Sequence, residues 1–207
     1  KTNFISKFTN AINTYIKKFE PNEAYVLLDG MAYGRKNNFE LYKVNKQLSK
    51  NDYAKIEEAG LAWQAQEESL EFLRKCYPVP TVMSQDWEAI DMAYYIQQEQ
   101  KEQLAETGEC DELIYVTTNL DAHMLEMKSY NPVTNSYFEK LPYDYLMYKS
   151  VVGDSENGVD GIDSHQKAVE VSSSKKIFEQ FLSWQSESAQ KIVERNLKLF
   201  SPLCGES

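Results

Sequence analysis

Residues 24–29 of the chain read Ala-Tyr-Val-Leu-Leu-Asp, a short apolar run that ends in a carboxylate and is followed by Gly30. Apolar runs of this length, bounded by turn residues, are typical of buried strands. A carboxylate directly after such a strand lies at the carboxyl edge of a sheet, where open α/β sheets place their functional sites. The stretch therefore predicts an α/β fold with Asp29 at the site.

Further acidic residues stand where a predicted strand ends or a predicted helix begins. Glu88 and Asp91 are three residues apart in one helix, so their side chains share a face. Carboxylates gathered at one place repel one another unless a hard divalent cation lies between them. Together they form one set of candidate metal ligands, suited to metal-assisted attack on a phosphodiester: Asp29, Glu88, Asp91, Asp121 and Asp154.

The charge of the chain is polarised. The 207 residues carry a net charge of −10, which argues against nucleic-acid binding because phosphate contacts depend on Lys and Arg. Residues 1–50, however, contain nine Lys or Arg and four Asp or Glu, a balance of +5 that leaves −15 for the remainder. The mixture of Tyr, Phe, Arg, Lys and Asn over 31–50 predicts an exposed basic arm, although solvated helix faces would also explain some of the lysines.

The order of predicted elements favours an α/β class with a mostly parallel central sheet flanked by helices, followed by a C-terminal helical region. Apolar periodicity predicts helices over 4–19, 51–77, 87–106, 143–152, 175–184 and 188–200. Short apolar runs predict strands over 24–29, 78–83 and 113–118, and a hairpin over 124–141. The Gly-, Ser- and Asp-rich stretch 155–174 is predicted to be a loop.

Composition excludes several classes of protein. The longest apolar runs are too short to cross a bilayer, and the N-terminus lacks the apolar segment of a secretory signal. Three widely spaced cysteines fit neither a disulfide framework nor a zinc motif. The two histidines also lack partners at ligand spacing. We therefore expect no membrane association and a cytoplasmic setting.

The order of motifs resembles the 5′→3′ exonuclease and flap endonuclease family, most closely its phage ribonuclease H type branch. In that family a strand ending in Asp is followed by a basic pair and a Tyr-Lys-x-Asn-Arg segment. Here Asp29 is followed by Arg35-Lys36 and by Tyr-Lys-Val-Asn-Lys at 42–46. The Tyr-Glu-Ala-Asp-Asp helix start of the family is similar to Trp-Glu-Ala-Ile-Asp at 87–91. The resemblance extends over residues 8–162.

Two later motifs carry the same resemblance. The Ser-Asp-x-Asp strand end of the family is similar to Thr-Asn-Leu-Asp at 118–121, and its Gly-Asp before a helix-hairpin-helix element is similar to Gly-Asp at 153–154. The resemblance implies a PIN-like nuclease domain over 1–152, including the basic arm. It implies a degenerate helix-hairpin-helix-like loop and C-terminal helices over 153–207.

The resemblance also implies a mechanism. Two Mg²⁺ or Mn²⁺ ions, about 4 Å apart, would activate water and stabilise the leaving oxygen of a phosphodiester. The five carboxylates would hold the ions. The catalytic basic residues would be Lys43, Lys46 and Arg35. The nucleic-acid contacts would come from Arg35, Lys36, Tyr42, Lys43 and Lys46, with Tyr33, Phe39 or Tyr42 stacking on a base.

Departures from the family pattern leave three function classes open. The first is a metal-dependent 5′→3′ exonuclease or flap endonuclease that acts on DNA or RNA–DNA hybrids with a 5′ end or flap. The second is a catalytically degenerate DNA-binding or replisome subunit, because Ile90 and Asn119 stand where the family has acidic residues. The third is an acidic interaction domain with no nucleic-acid role.

We expect the first class, in phage or viral replication in a host cell. Replication proteins such as a single-strand-binding protein or a polymerase are the expected protein partners. The family has a further N-terminal strand that carries its first catalytic aspartate. No such strand precedes residue 4, so we expect this chain to be part of a longer protein.

Overall fold

The computed structural model describes residues 2–30, 32–42, 71, 72, 75 and 78–202. These residues form two compact units. The first contains the described residues up to 28 and from 71 to 83, and the second contains 29–42 and 84–202. All the candidate site residues in the described part of the chain belong to the second unit. The domain boundary predicted at 152/153 stays a prediction.

Within the described residues, the first unit contains helix α1 (Thr2–Phe19) and two paired strands, and residues 71, 72 and 75 are also helical. Helix α1 begins two residues before the start that its apolar period predicts. Strands β1 (Val26–Leu28) and β2 (Thr81–Met83) pair in parallel, with Leu27 opposite Val82. Both are shorter than the predicted strands. Most of the helix predicted over 51–77 lies outside the described residues.

The second unit carries the remaining elements. Its helices are α2 (Tyr33–Asn38), α3 (Ala89–Thr107), α4 (Tyr145–Val152), α5 (His165–Val171), α6 (Lys175–Ser183) and α7 (Glu187–Phe200). Its strands are β3 (Ile114–Val116), β4 (Lys128–Asn131), β5 (Ser136–Tyr137), β6 (Gly153–Asp154) and β7 (Val159–Asp160). Single 3₁₀ turns span Leu120–Met124 and Ser155–Asn157.

Helix α3 begins with a capping box that involves two candidate site residues. Glu88 is the N-cap, and Asp91 accepts a hydrogen bond from the Glu88 N–H at 2.9 Å. This reciprocal pairing satisfies donors that the first helical turn leaves open. Helix α3 therefore starts at Ala89 and not at Trp87, two residues later than predicted. Gly108, with a positive φ of 76°, ends it.

The hairpin predicted over 124–141 is confirmed. Strand β4 pairs in parallel with β3 and antiparallel with β5, so the three strands form one small sheet. At the turn, Asn131 Oδ1 accepts hydrogen bonds from the N–H groups of Val133 and Thr134. Asn135 takes the left-handed conformation at φ 54°, which Asn tolerates better than most residues. The Asn131–Asn135 segment thus forms the turn that its composition predicts.

The C-terminal helices pack around a common apolar core. Most of the core side chains come from α4 to α7, and the buried members are Val151, Ala168, Val171, Phe178, Phe181 and Val193. Each of the last four helices has a side-chain N-cap: Asp144, Ser164, Ser174 and Ser186. The prediction of a continuous loop over 155–174 is wrong, because Ser164 caps a seven-residue helix within it. The predicted C-terminal helical region is confirmed.

The predicted mixed α/β class is also confirmed. Within the described residues the strands form three small sheets, in the orders β1-β2, β3-β4-β5 and β6-β7. The pairings of β1 with β2 and of β3 with β4 are parallel, and the other two are antiparallel. None of the helices in the described part of the chain has the length and apolar character needed to span a membrane.

Candidate functional site

Asp29 is held against the start of α3. Its Oδ1 atom accepts a hydrogen bond from the N–H of Ala89 at 2.9 Å, and the side chain remains exposed. The N–H of the next residue, Gly30, donates to the Trp87 carbonyl at 3.2 Å. A Cβ atom at Gly30 would overlap the Ser84 carbonyl, so only glycine permits this close approach. The Asp-Gly pair thus places the Asp29 carboxylate beside the residues of the capping box.

Arg35, on α2, is buried between the carboxylates of the same capping box. It is 3% exposed, and its guanidinium forms a two-pronged ion pair with Asp91, in which the Nη2–Oδ1 distance is 2.6 Å. Nη1 also lies 3.1 Å from Glu88 Oε2, and Nε donates to the Leu199 carbonyl at 3.1 Å. Paired Arg–carboxylate bonds are among the strongest polar contacts in proteins. The guanidinium therefore joins α2, the start of α3 and the end of α7.

Internal donors surround both acids of the capping box. Asp91 is 1% exposed and Glu88 is 7% exposed. Besides the Arg35 contacts, the Tyr42 hydroxyl donates to Glu88 Oε2 at 3.1 Å. Burial raises the pKa of Tyr42 well above its ordinary value, and the charges of nearby aspartates raise it further against the opposing effect of Arg35. Tyr42 therefore stays protonated and remains a donor to Glu88.

A second internal cation, Lys149 on α4, bridges the other two candidate ligands. Its Nζ atom lies 2.5 Å from Asp121 Oδ1 and 3.2 Å from Asp154 Oδ2. The same atom lies 4.7 Å from the centre of the Phe200 ring, within the range of a cation–π contact. Lys149 is 8% exposed. Its ammonium group thus neutralises part of the charge of the two aspartates.

Sequence reasoning missed Lys149. The sequence nevertheless contains a feature that indicates its role. Lys149 is the one charged residue in the otherwise apolar and neutral stretch Tyr145–Val152, and it lies five residues before Asp154. A lone lysine on a helix with so many apolar residues is costly to bury unless a carboxylate pairs with it. The pattern therefore indicates a paired lysine, although it does not identify the partner.

Asp154 is held by the 3₁₀ turn that follows it. Its Oδ1 atom accepts from the Asn157 N–H at 3.1 Å, and its Oδ2 atom accepts from Asn157 Nδ2 at 2.7 Å. In the described part of the structure, the remaining side-chain oxygen of Asn157, Oδ1, is buried without a hydrogen-bond partner. Such an oxygen is costly to leave unsatisfied. Asn157 therefore holds both oxygens of Asp154 and carries a buried oxygen without a hydrogen-bond partner among the described residues, and sequence reasoning did not select it.

One buried tyrosine and two half-buried tyrosines have carboxylates of the candidate site as neighbours. Burial raises the pKa of Tyr115 to about 12, and the charges of Asp29, Asp121 and Asp91 add to the shift against a hydrogen bond with Thr117. Burial likewise raises the pKa of Tyr145, with Asp121 and Asp154 contributing. The charges of Asp91, Asp121 and Asp154 also contribute to the raised pKa of Tyr42. Because charge interactions weaken with distance, these shared neighbours place the predicted acids together in the second unit.

The predicted nucleic-acid contacts divide into two groups. Arg35 and Tyr42 are each 3% exposed and contact the carboxylates, so as placed they do not reach solvent. Lys36 is partly exposed, and its Nζ lies 5.8 Å from the centre of the Tyr33 ring, which is 44% exposed. Phe39 contacts the Arg195 guanidinium at 4.6 Å. Lys43 and Lys46 lie outside the described residues, and the roles assigned to all of these residues stay predictions.

The two halves of the acidic cluster differ in how well they fit a metal ion. In the described part of the chain, no three Asp, Glu, His or Cys side chains are arranged to hold one. Glu88 and Asp91 do not fit a metal, because Arg35, Tyr42 and a backbone N–H already use their oxygens. The aspartates around Lys149 fit better, because both are partly exposed and Asn157, whose Oδ1 lacks a hydrogen-bond partner among the described residues, is bonded to Asp154.

The pairing of Asp154 predicts a dependence of stability on pH. Burial alone would raise the pKa of Asp154, but Lys149 and the hydrogen bonds from Asn157 outweigh burial and hold it below its ordinary value of 3.8. A depressed folded-state pKa stabilises the protein above the unfolded-state value, and this contribution is lost as the pH falls through the folded-state value. We therefore expect the free energy of unfolding to fall with acid in the window below pH 3.8.

Urea denaturation at a series of pH values would measure this effect. The Asp154→Asn variant should show a shallower fall than the unsubstituted protein as the pH is lowered below 3.8. Replacement of the exposed Asp86 by Asn is the matched control for the loss of one surface carboxylate. Parallel curves for Asp154→Asn and the unsubstituted protein would contradict the pairing.

Comparison with solved structures identifies the class of fold: it is that of the phage 5′ nucleases, as predicted. The chain superposes on the bacteriophage T5 D15 protein co-crystallised with metal ions, with a TM-score of 0.72, 17% identity and coverage of 97% of this chain and 83% of that one. For T5 5′-exonuclease with bound zinc the TM-score is 0.76, with 17% identity and coverage of 95% and 80%.

A third similar structure is a complex with DNA. It is an Asp→Lys variant of the T5 D15 flap endonuclease, described as a pseudo-enzyme–product complex with DNA and metal ions. The TM-score is 0.72, with 16% identity and coverage of 95% of this chain and 80% of that one. No protein-family model and no curated protein matches the chain. The likeness therefore establishes the fold.

Proposed function

We propose that the chain binds DNA or an RNA–DNA hybrid carrying a 5′ end or flap, and that it does so without rapid hydrolysis of the strand. The observation that carries this proposal is that Arg35 and Lys149 already form ion pairs with four of the five candidate metal ligands from within the protein. A site that positions two metal ions needs those carboxylate oxygens for the ions. The second of the three predicted function classes is therefore the one that the geometry supports best.

The fold and α2 support the binding part of the proposal. The fold is shared with a flap endonuclease that has been crystallised with DNA. On α2, Tyr33 and Lys36 present an exposed aromatic ring with an ammonium group beside it. Aromatic rings stack on splayed bases, and lysines contact phosphates. We assign further phosphate contacts to Lys43 and Lys46, which continue the same basic segment in the sequence.

A metal-dependent 5′→3′ exonuclease or flap endonuclease is the second candidate function. The exposed carboxylate of Asp29 and the unsatisfied Asn157 Oδ1 beside Asp154 favour it, because both are oxygen ligands of the kind that Mg²⁺ and Mn²⁺ prefer. In this candidate, Lys43, Lys46 and Arg35 would orient and neutralise the scissile phosphate. Arg35 would first have to leave its buried ion pair. For that reason we rank this candidate second.

Cleavage and binding assays on the same substrates separate the two candidates. The substrates are a 5′-labelled DNA flap and an RNA–DNA hybrid, each in Mg²⁺, in Mn²⁺ and in chelator. The proposal expects binding by fluorescence anisotropy in every buffer, with no rapid cleavage. Metal-dependent cleavage that disappears in Asp121→Ala would select the nuclease. Absence of binding even at low salt would contradict both candidates and favour the acidic interaction domain.

A charge-reversal variant tests the binding surface. We expect Lys36→Glu to raise the dissociation constant by about tenfold, because it replaces an attractive contact with phosphate by a repulsive one. Lys167→Glu, on α5, is the matched control and should change the constant less than twofold by the same reasoning. Equal effects of the two substitutions would show that the Lys36 region is not the binding surface.

The same proposal includes a biological setting. We place the chain in phage or viral replication in the cytoplasm of a host cell, because the structures that it resembles are phage proteins. A single-strand-binding protein or a polymerase would be the protein partner in that setting. Co-purification of either with the tagged chain from infected cells would test this part.

A further inference from the structure

The two internal cations, Arg35 and Lys149, differ in the number of atoms through which they are held and in the exposure of their partners. Arg35 is bound through all three of its guanidinium nitrogens, and its main partner Asp91 is 1% exposed. Lys149 contacts its carboxylates through one atom, and the side chains of Asp121 and Asp154 are 17% and 13% exposed. A lysine ammonium sits on a flexible four-carbon stem, whereas the arginine fork is planar and rigid. Lys149 is therefore the cation that can leave.

We infer that Lys149 is an internal competitor for a single divalent cation at Asp121, Asp154 and Asn157. The Lys149 ammonium group and a hard cation require the same Oδ atoms of the two aspartates, so both cannot be bound fully at once. Asn157 Oδ1 supplies a third oxygen, which the ammonium group leaves unused. Departure of Lys149 would therefore free the two aspartate oxygens, and the Asn157 amide lies against Asp154.

The other half of the acidic cluster does not take an ion in this scheme. Arg35 stays paired with Glu88 and Asp91, so the chain binds one cation where the resemblance to two-metal nucleases would give two. The inference concerns the protein alone and does not depend on DNA binding.

Titration of the protein with Mn²⁺ in the absence of nucleic acid tests the inference. Free Mn²⁺ is measured by electron paramagnetic resonance. We expect Lys149→Met, which keeps most of the side-chain volume against Phe200, to bind one ion at least about tenfold more tightly than the unsubstituted protein, because a repelling positive charge is removed. Lys191→Met removes an exposed lysine on α7 and should leave the affinity unchanged.

Second substitutions assign the ligands. In the Lys149→Met background, Asp121→Asn and Asn157→Ala should each weaken Mn²⁺ binding, whereas Asp91→Asn should not remove an ion. Two ions bound to the unsubstituted protein, or no gain of affinity in a folded Lys149→Met variant, would overturn the inference. Circular dichroism establishes whether each variant is folded.

A measurement on the unsubstituted protein keeps the inference testable if Lys149→Met does not fold. The rate of acetylation of each lysine by acetic anhydride is followed by mass spectrometry with and without Mn²⁺. Displacement predicts faster acetylation of Lys149 when Mn²⁺ is bound, and an unchanged rate at Lys191. Binding of Mn²⁺ with no change at Lys149 would overturn the inference. Because no nucleic acid is present, either result is separate from the outcome of the DNA-binding assays.

Discussion

Replacement of Arg35 by methionine is expected to lower the free energy of unfolding by about 3–5 kcal/mol, because it leaves a buried carboxylate without its partner. Asp91 would lose both of its guanidinium contacts and would remain 1% exposed. Glu88 would lose one of its donors, and the Leu199 carbonyl would lose its hydrogen bond from Nε. Urea denaturation followed by circular dichroism would measure the change at neutral pH.

Two further variants separate the ion pair from a general effect of substitution on α2. Lys36→Met lies next to Arg35 on the same helix but is partly exposed, and it should change stability by less than about 0.5 kcal/mol. Asp91→Asn in the Arg35→Met background should recover part of the loss, since it removes the unpaired charge. A loss of the same size in Lys36→Met, or no recovery in the double variant, would contradict the buried pair.

Replacement of Gly153 by alanine is the second large effect that we expect. Gly153 ends α4 and precedes Asp154, and its φ of 77° and ψ of −163° lie in a region that glycine alone occupies readily. A Cβ atom at this position would also lie 2.5 Å from the Val159 carbonyl oxygen. The strain and the contact together should cost about 4 kcal/mol or more in the free energy of unfolding.

Gly108 is the matched control for this substitution. Its φ of 76° is nearly the same, but a Cβ atom there would meet no described atom within 4 Å. Gly108→Ala should therefore cost only about 1 kcal/mol, the usual penalty for a left-handed residue with a side chain. Thermal or urea unfolding of the two variants would compare them directly. Equal losses of stability in the two variants would mean that the close approach of β7 to Gly153 adds nothing to the cost of the substitution.

The elements that could be predicted from the sequence are those specified by local pattern. The helix Thr2–Phe19 and the turn at Asn131–Asn135 follow from apolar period and from turn composition, respectively, and the structure contains both. The seven-residue helix at His165–Val171 was missed because two turns give too short a period to stand out in a Gly- and Ser-rich stretch. Its Ser164 cap is the local feature that indicates it.

The site could be predicted only in its acidic part. Carboxylates that follow predicted strands can be recognised in the sequence. The partners of Arg35 and Lys149 cannot, because they depend on contacts between distant segments. The expectation that residues 31–50 form an exposed arm did not distinguish Lys36, which is partly exposed, from Arg35, which is buried one residue earlier. A six-residue helix turns these neighbours to different faces. Burial of a charge is a tertiary property, and only the assembled fold reveals it.

The last turn of α7 has a consequence for the order of events during synthesis. The Leu199 carbonyl accepts from Arg35 across 164 residues, and the Phe200 ring lies under Lys149. A nascent chain exposes its acidic residues long before these two contacts become available. Until residue 200 has left the ribosome, the carboxylates therefore lack part of the support for their internal cations. Ribosome-bound chains that end before α7 should consequently bind cations with an affinity different from that of the finished protein.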